Sequence, residues 1–300
     1  MLGSVVTAIG IIGLLTAMLA TLLIVASRKL YVVENLRMVQ VEQMLPHNNC
    51  GACGFPSCHM FAEALVENKV LPSQCSVSSE QDKEAIASFL NVEKGNQVKQ
   101  VARLACAGGN NVATNQAKYL GMQSCNSAAQ VAGGGKSCFW GCLGLADCAK
   151  ACTFDAIQMD DNGLPMVDES KCTACGDCVV TCPKDLFSLT PVDQHLWVNC
   201  RNLEHGDEML NHCQVACTAC GKCAMDAPNN LISMQNNLPR IHYGALTGEA
   251  AVQPEPLDNR KAIERCPTGA IVWFAATGQA ERGSSAKQLV RHGQRPAEHS

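Results

Sequence analysis

One run of cysteines, CTACGDCVVTCP, restricts the fold of this chain more than any other feature of its sequence. Its members are Cys172, Cys175, Cys178 and Cys182. Their spacing, C-x2-C-x2-C-x3-C followed by Pro183, is that of bacterial ferredoxins with two [4Fe–4S] clusters, in which three thiolates bind one cluster and the fourth binds the other. The run therefore predicts a partner run that supplies the remaining ligands.

A second run, CFWGCLGLADCAKAC, lies upstream and is the expected partner. When this run is aligned with the ferredoxin spacing from Cys142 onward, Leu145 stands in place of the second cysteine and Thr153 in place of the proline. We expect Cys138 to supply the missing ligand. The crossover rule then gives two ligand sets, which are Cys152, Cys172, Cys175 and Cys178, and Cys138, Cys142, Cys148 and Cys182.

The segment between the two runs predicts a β-hairpin. The short apolar stretches AIQM and LPMV flank Asp161, Asn162 and Gly163, which form a strong turn signal. Paired runs and a hairpin together predict an α+β fold of the bacterial 2[4Fe–4S] ferredoxin type.

The ferredoxin pattern repeats nearer the C-terminus, but one of its sites is missing. The repeat supplies Cys217, Cys220, Cys223 and Cys266, with a second hairpin predicted in LISM and LPRIHY. Ala227 stands at the fourth-cysteine position, and residues 244–265 contain no cysteine. Because the crossover rule assigns these absent ligands to one cluster, we predict one lost site and one complete site. Zinc sites would not require such a correlated loss.

A separate cysteine module precedes the ferredoxin runs, in HNNCGACGFPSC and the helical segment after it. Its expected ligands are Cys50, Cys53, Cys58 and Cys75. Gly51 and Gly54 allow the backbone to wrap closely around a cluster. Four thiolates suit either an iron–sulfur cluster or tetrahedral zinc, and zinc remains open here on spacing alone. Attachment of c-type haem requires C-x-x-C-H, which the segment before His59 does not provide.

The N-terminal segment from Ser4 to Ala26 is uncharged and predicts a membrane-spanning helix. Its 23 residues would extend roughly 35 Å as a helix, enough to cross a bilayer core of about 30 Å. A cleaved signal peptide would need positive charge before the apolar segment, whereas Arg28 and Lys29 follow it. The positive-inside rule predicts a single-pass anchor, with the N-terminus outside and the bulk of the chain in the cytoplasm.

A cytoplasmic location favours metal ligation over disulfides for the 20 cysteines, because that compartment is reducing. An exported disulfide scaffold is the alternative. The assignments above use 16 cysteines and leave Cys106, Cys125, Cys200 and Cys213. These four could hold a further cluster, or they could be ordinary buried thiols. Either Cys125 or Cys213 could also replace Cys138 as a ligand.

Several other functions are excluded by composition and motifs. The net charge of −4 does not favour nucleic-acid binding, which usually requires a basic domain. The chain contains no G-x-G-x-x-G fingerprint after a predicted strand and no P-loop, so we expect it to bind neither NAD nor flavin itself. We also expect no bond-making active site and assign no catalytic residue.

The sequence resembles the B subunit of the Rnf complex, a membrane-bound, ion-translocating ferredoxin:NAD oxidoreductase, in its extended form with a second ferredoxin-like unit. The resemblance rests on the order of NNCGACGFPSC, GGGKSCFWGCLG and CTACGDC after an N-terminal anchor, and it extends to about residue 275. It implies a subunit that exchanges electrons with soluble ferredoxin or flavodoxin. The electrons would pass along its clusters to other Rnf subunits in the membrane, which would carry the NAD and flavin sites.

We therefore predict four [4Fe–4S] clusters, with a fifth open, in an electron-transfer subunit of a translocase. The alternative is a membrane-tethered zinc or cluster scaffold without redox turnover. The predicted organisation is an anchor (1–29), a four-cysteine module (30–94), a two-cluster ferredoxin-like domain (95–190), a second ferredoxin-like unit (191–275) and a disordered tail (276–300).

Overall fold

The computed structural model describes residues 2–29, 35–243, 257–275 and 278–289. Its first helix is α1 (Leu2–Lys29), and the segment Ile9–Lys29 within it is apolar enough to cross a membrane, with a mean hydropathy of 2.6. The rest of the protein buries none of this segment. Arg28 and Lys29 occupy the last turn, so positive charge marks one end of the apolar helix.

Three helices form the cysteine module that follows, and they are α2 (Leu36–Gln43), α3 (Cys58–Val66) and α4 (Glu80–Leu90). The side chain of Asn35 caps α2, and the Ser57 side chain accepts a hydrogen bond from the Met60 amide at the start of α3. Helix α2 packs against α3. The apolar core of the module consists of Val41, Leu45, Phe61, Leu65 and Ile86. The apolar spacing from Leu30 to Leu45 predicts a helix, and α2 lies within that range, whereas residues 30–34 lie outside the described part.

The first ferredoxin-like unit contains two helices that each lie within a cysteine run. Its elements are β1 (Gln100–Leu104), α5 (Cys125–Ala129), α6 (Asp147–Ala151), β2 (Ile157–Met159), β3 (Pro165–Val167), α7 (Asp177–Thr181) and β4 (Phe187–Pro191). Strands β1 and β4 are antiparallel, and β2 and β3 form the predicted hairpin around Asn162 and Gly163. Helices α6 and α7 pack against each other and bring the two runs together.

The second unit repeats this plan with more strands. Its elements are β5 (Leu196–Val198), α8 (Lys222–Asp226), β6 (Ile232–Gln235), β7 (Leu238–Ile241), α9 (Lys261–Glu264), β8 (Ile271–Phe274) and β9 (Ala280–Arg282). Strands β6 and β7 form the second predicted hairpin, and β5, β8 and β9 form an antiparallel sheet. Short 3-10 helices occur at Pro72–Gln74, Ala132–Gly135, Asp207–Asn211, Pro228–Asn230 and Leu257–Arg260.

The structure differs from the sequence prediction at the start of the tail. Residues from 276 were expected to be disordered, yet β9 pairs with β8 in the register Val272 to Arg282. Backbone pairing and polar contacts order this segment, since Arg282 donates a hydrogen bond to the Thr268 carbonyl oxygen (2.6 Å) and Glu281 forms an ion pair with Arg260 (2.6 Å). Such pairing needs no apolar periodicity, so the composition did not indicate it. Residues 244–256, 276–277 and 290–300 lie outside the described part.

Candidate metal centres

The module site is defined by the four cysteines of the N-terminal module, Cys50, Cys53, Cys58 and Cys75. The Asn49 side chain accepts a hydrogen bond from the Cys58 amide (2.8 Å) and closes the loop at the start of α3. Ser78 donates its hydroxyl to the sulfur of the buried Cys75 (3.1 Å). Burial raises the pKa of Cys53, and its neighbours Cys75 and Cys50 raise it further. The structure thus places Cys50, Cys53 and Cys75 within electrostatic range of one another.

The first ferredoxin site is defined by Cys152, Cys172, Cys175 and Cys178, which line one cavity. Amides point at its sulfurs: that of Ala102 donates to Cys172, and that of Ala156 donates to Cys152, both at 3.4 Å. Burial raises the pKa of Cys178 to about 12, with smaller contributions from neighbouring thiols. One cysteine of this group comes from the upstream run and three come from the downstream run, which is the mixed origin that the crossover rule predicts.

The crossing site is defined by Cys142, Cys148 and Cys182, whose fourth partner was predicted to be Cys138. Cys125 raises the pKa values of both Cys142 and Cys148, although burial is the larger cause for each. Those pKa values reach about 12 and about 11, respectively. The structure therefore places Cys125, which sequence reasoning left unassigned, within electrostatic range of the crossing site.

The bridging site is defined by Cys106, Cys138, Cys200 and Cys213, which line a second cavity. Three of these were left over by the sequence analysis, and the fourth is Cys138. Burial raises the pKa of Cys213 to about 11, and Cys106 and Cys138 add to the shift. The only sequence signals for this grouping were the remainder of four cysteines and the irregular spacing of Cys138.

The terminal site is defined by Cys217, Cys220, Cys223 and Cys266, which line a third cavity. Cys266 follows α9, and its sulfur lies 3.8 Å from the Thr268 hydroxyl. Burial raises the pKa of Cys223 to about 12 and that of Cys217 to about 11. Ala227 ends α8, and the cysteine-free segment after β7 continues into residues outside the described part.

The geometry of these groups differs from that of a single-ion site. Four ligands of one zinc ion lie within about 2.3 Å of a common point. Among the described residues, which include all 20 cysteines, no group of three or more His, Cys, Asp or Glu side chains converges in that way. Three of the groups border cavities instead, with the thiols of each group arranged around a common space. Thiolates around such a space can bind a polynuclear cluster, whose iron atoms the sulfurs reach from outside.

Two family profiles match parts of the chain. The profile described as "Putative Fe-S cluster" matches residues 45–77, which contain the module site. The profile described as a 4Fe-4S binding domain matches residues 165–187, which contain the downstream ferredoxin run.

Curated relatives match over more of the length. The B subunit of the Na(+)-translocating ferredoxin:NAD(+) oxidoreductase complex of Acetobacterium woodii is 34% identical over 97% of this chain and 83% of its own length. The proton-translocating counterpart of Clostridium ljungdahlii is 34% identical over 77% of this chain and 79% of its own length. The B subunit of the ion-translocating oxidoreductase complex of Methanosarcina acetivorans is 31% identical over 70% of this chain and 80% of its own length.

Proposed function

Because the chain belongs to the family of B subunits of ion-translocating ferredoxin:NAD oxidoreductase (Rnf) complexes, we propose that its cysteine groups hold a series of [4Fe–4S] clusters that relays electrons between a soluble carrier and partner subunits in the membrane. The chain is an iron–sulfur electron-transfer subunit of a translocase of this kind. The number of clusters, the soluble partner and the orientation in the membrane are the parts we propose.

The observation that carries this proposal is the mixed origin of the cysteines around the first ferredoxin site. Cys152 belongs to one run, whereas Cys172 and Cys178 belong to the other, and all three border one cavity. A cluster bound there would hold the two runs together. Each bound cluster would supply one-electron redox chemistry, and the protein would set its potential through hydrogen bonds to sulfur, net charge and exposure.

The chain's own groups are suited to that task. Backbone amides donate to the sulfurs of Cys172 and Cys152, and such hydrogen bonds stabilise the electron-rich, reduced state of a cluster. Burial of Cys178 and Cys223 keeps water away from the clusters. Their raised pKa values mean that thiolate forms readily there only when iron is bound.

The relay would extend from the module site, near the membrane, to the terminal site. Ser76, which follows Cys75, donates a hydrogen bond to the carbonyl oxygen of Thr173 (2.6 Å), next to Cys172. This contact supports direct adjacency of the module site and the first ferredoxin site. At the opposite end, Cys220 is the one exposed cysteine of the 20, all of which are described. We propose that soluble ferredoxin or flavodoxin approaches the terminal site at this edge, and that NAD and flavin bind to partner subunits.

Anaerobic purification tests the function directly. We expect a brown protein with at least 16 irons and a similar amount of acid-labile sulfide per chain, about four for each of four sites. Reduced ferredoxin should bleach the visible absorption within seconds, whereas NADH alone should leave it unchanged. A colourless protein that contains zinc would contradict the proposal in favour of the scaffold alternative. A coloured protein that no ferredoxin or flavodoxin reduces would contradict the proposed partner alone.

A further inference from the structure

The bridging site collects cysteines that the ferredoxin pattern does not explain. Its members come from three separate segments, and Cys138 and Cys213 are buried while Cys106 and Cys200 are half-buried. Four buried or half-buried thiols around one cavity form the donor set of a cubane cluster.

Backbone pairing between the two ferredoxin-like units brings these segments together. The amide of Ala107 donates to the Asn199 carbonyl oxygen (3.1 Å), which places Cys106 near Cys200. Farther along, Ala113 forms an isolated β-bridge with Cys213. Two backbone hydrogen bonds extend this pairing. The Thr114 amide donates to the His212 carbonyl oxygen (2.9 Å), and the Gln214 amide donates to the Val112 carbonyl oxygen (3.0 Å). The segment from Ala107 to Thr114, which precedes α5, is therefore paired through its backbone with the second unit.

Hydrogen-bond donors and a positive charge surround the bridging site. The Cys106 sulfur accepts the amide of Cys142 (3.4 Å), and the Cys200 sulfur accepts the amides of Asn202 (3.4 Å) and Cys217 (3.3 Å). Lys136 lines the cavity, and its ammonium donates to the carbonyl oxygens of Gly108 and Cys142, the latter at 2.6 Å. Both features offset the negative charge of thiolates bound to a cluster.

Cys125 is held beside the crossing site by its two neighbours in sequence. The hydroxyl of Ser124 (2.7 Å) and the amide of Asn126 (3.1 Å) both donate to the same carboxylate oxygen of Asp147. Asp147 directly precedes Cys148 at the start of α6. The first turn of α5 is thereby docked on the first turn of α6, and Cys125 lies next to Cys148.

We propose that Cys106, Cys138, Cys200 and Cys213 bind a fifth [4Fe–4S] cluster, and that Cys125 completes the crossing site with Cys142, Cys148 and Cys182. This inference rests on the proposed function, since it takes the other groups to be cluster sites. All 20 cysteines then fall into five groups of four. The fifth cluster lies between the two ferredoxin-like units, because the Cys142 amide contacts it from one side and the Cys217 amide from the other. It closes the gap in the relay between the crossing site and the terminal site.

The wild-type chain gives the first test, without any substitution. Iron and sulfide analysis with Mössbauer spectroscopy on the anaerobically purified, fully loaded protein should give about 20 irons, all in cubane clusters. A fully loaded value of about 16 would overturn the fifth cluster while leaving the proposed function intact. A protein without iron–sulfur signals would overturn the proposed function itself.

Paired substitutions test the ligand assignment. Loss of either Cys106 or Cys138 should remove about four irons, and the C106A/C138A double variant should lose no more, because both ligands serve one cluster. The C125A/C138A variant should lose about eight irons, because these ligands serve different clusters. Ser137→Ala, next to Cys138, is the matched control and should retain full iron. A loss of about eight irons from C106A/C138A, or of about four from C125A/C138A, would overturn the assignment.

Discussion

The backbone amide of Cys142 lies 3.4 Å from the sulfur of Cys106 and donates a hydrogen bond to it. Cys142 belongs to the crossing site and Cys106 to the bridging site, so a single N–H group connects two of the proposed clusters. The Cys217 amide has the same relationship to the Cys200 sulfur, between the bridging and terminal sites. A third contact, from the Ser76 hydroxyl to the Thr173 carbonyl oxygen, joins the module site to the first ferredoxin site.

Lys136 is expected to raise the reduction potential of the clusters beside it. Its positive charge lowers the pKa values of Cys138, Cys142 and Cys213, opposing the larger effect of burial. Lys136→Met should therefore lower a midpoint potential, measured by EPR-monitored titration, with iron content unchanged. A charge interaction of about 1–2 kcal/mol corresponds to roughly 40–90 mV for a one-electron couple. Lys136→Arg is the charge-preserving control, and equal potentials in the Met and Arg variants would contradict this role.

Cys182 is expected to belong to a different cluster from Cys178, its neighbour in the same run. Cys182→Ala should first perturb the cluster at Cys142 and Cys148, while the first ferredoxin site keeps its signal with the help of Cys152. Two measurements test this, the EPR spectrum of the reduced protein and its iron content. We expect a loss of about four irons per chain. An experimental structure with Cys182 bonded to the cluster of Cys178 would disprove the crossover rule here. The explanation of Ala227 as part of a wholly lost site would then fail as well.

Sequence spacing was sufficient for the parts of the fold that are local or periodic. Both hairpins are confirmed, as is the helix predicted after HNNCGACGFPSC, although the structure begins it at Cys58, the last residue of that segment. The ligand sets of the ferredoxin runs remain predictions, and the cavities lined by Cys172 and by Cys217 agree with them. These features were predictable because turn residues and a fixed cysteine spacing determine them within short segments.

The grouping of Cys138 depends instead on contacts between distant segments. Cys138 lies four residues before Cys142 in sequence, but the pairing of Ala107 with Asn199 and of Ala113 with Cys213 builds the cavity around it. Such backbone bonds between irregular segments carry no composition or periodicity signal. The docking of α5 on Asp147 is equally invisible in spacing, which is why sequence analysis left Cys125 unassigned.

The module site should lose its cluster without affecting the others. Cys53→Ser should remove about four irons per chain and leave the ferredoxin clusters in place, because α2, α3 and α4 have an apolar core of their own. Iron analysis and EPR provide the measurement. Ser76→Ala is the matched control, since it breaks the contact with Thr173 without removing a ligand. Proportional loss of iron from every site in Cys53→Ser would mean that the chain folds as one unit around all its clusters.

Cluster incorporation should release protons and should be favoured as pH rises. Burial raises the pKa of Cys178 and of Cys142 from 9.0 to about 12, so both thiols are protonated in the cluster-free protein at neutral pH. Iron binds the thiolate form, so each thiol must lose its proton when the cluster forms. For each proton lost, the apparent affinity for iron rises tenfold per pH unit, as long as the pH is below these pKa values. A pH indicator in weakly buffered solution should record proton release during reconstitution, measured against Cys178→Ala as the reference. Equal release from both proteins would contradict the expectation.

The apolar helix should place the cysteine-rich part of the chain in the cytoplasm. Arg28 and Lys29 lie at the end of α1 that leads into the module, and positively charged residues favour the cytoplasmic side of a membrane. A periplasm-dependent reporter such as alkaline phosphatase, fused after the module, should therefore be inactive, while a fluorescent protein that matures in the cytoplasm should be bright. Replacing Arg28 and Lys29 with Gln and adding two Lys residues before Ser4 should raise alkaline phosphatase activity by reversing the bias. Strong alkaline phosphatase activity in the unaltered fusion would contradict the orientation, and it would make disulfides rather than clusters the expected state of the cysteines, because that compartment is oxidising.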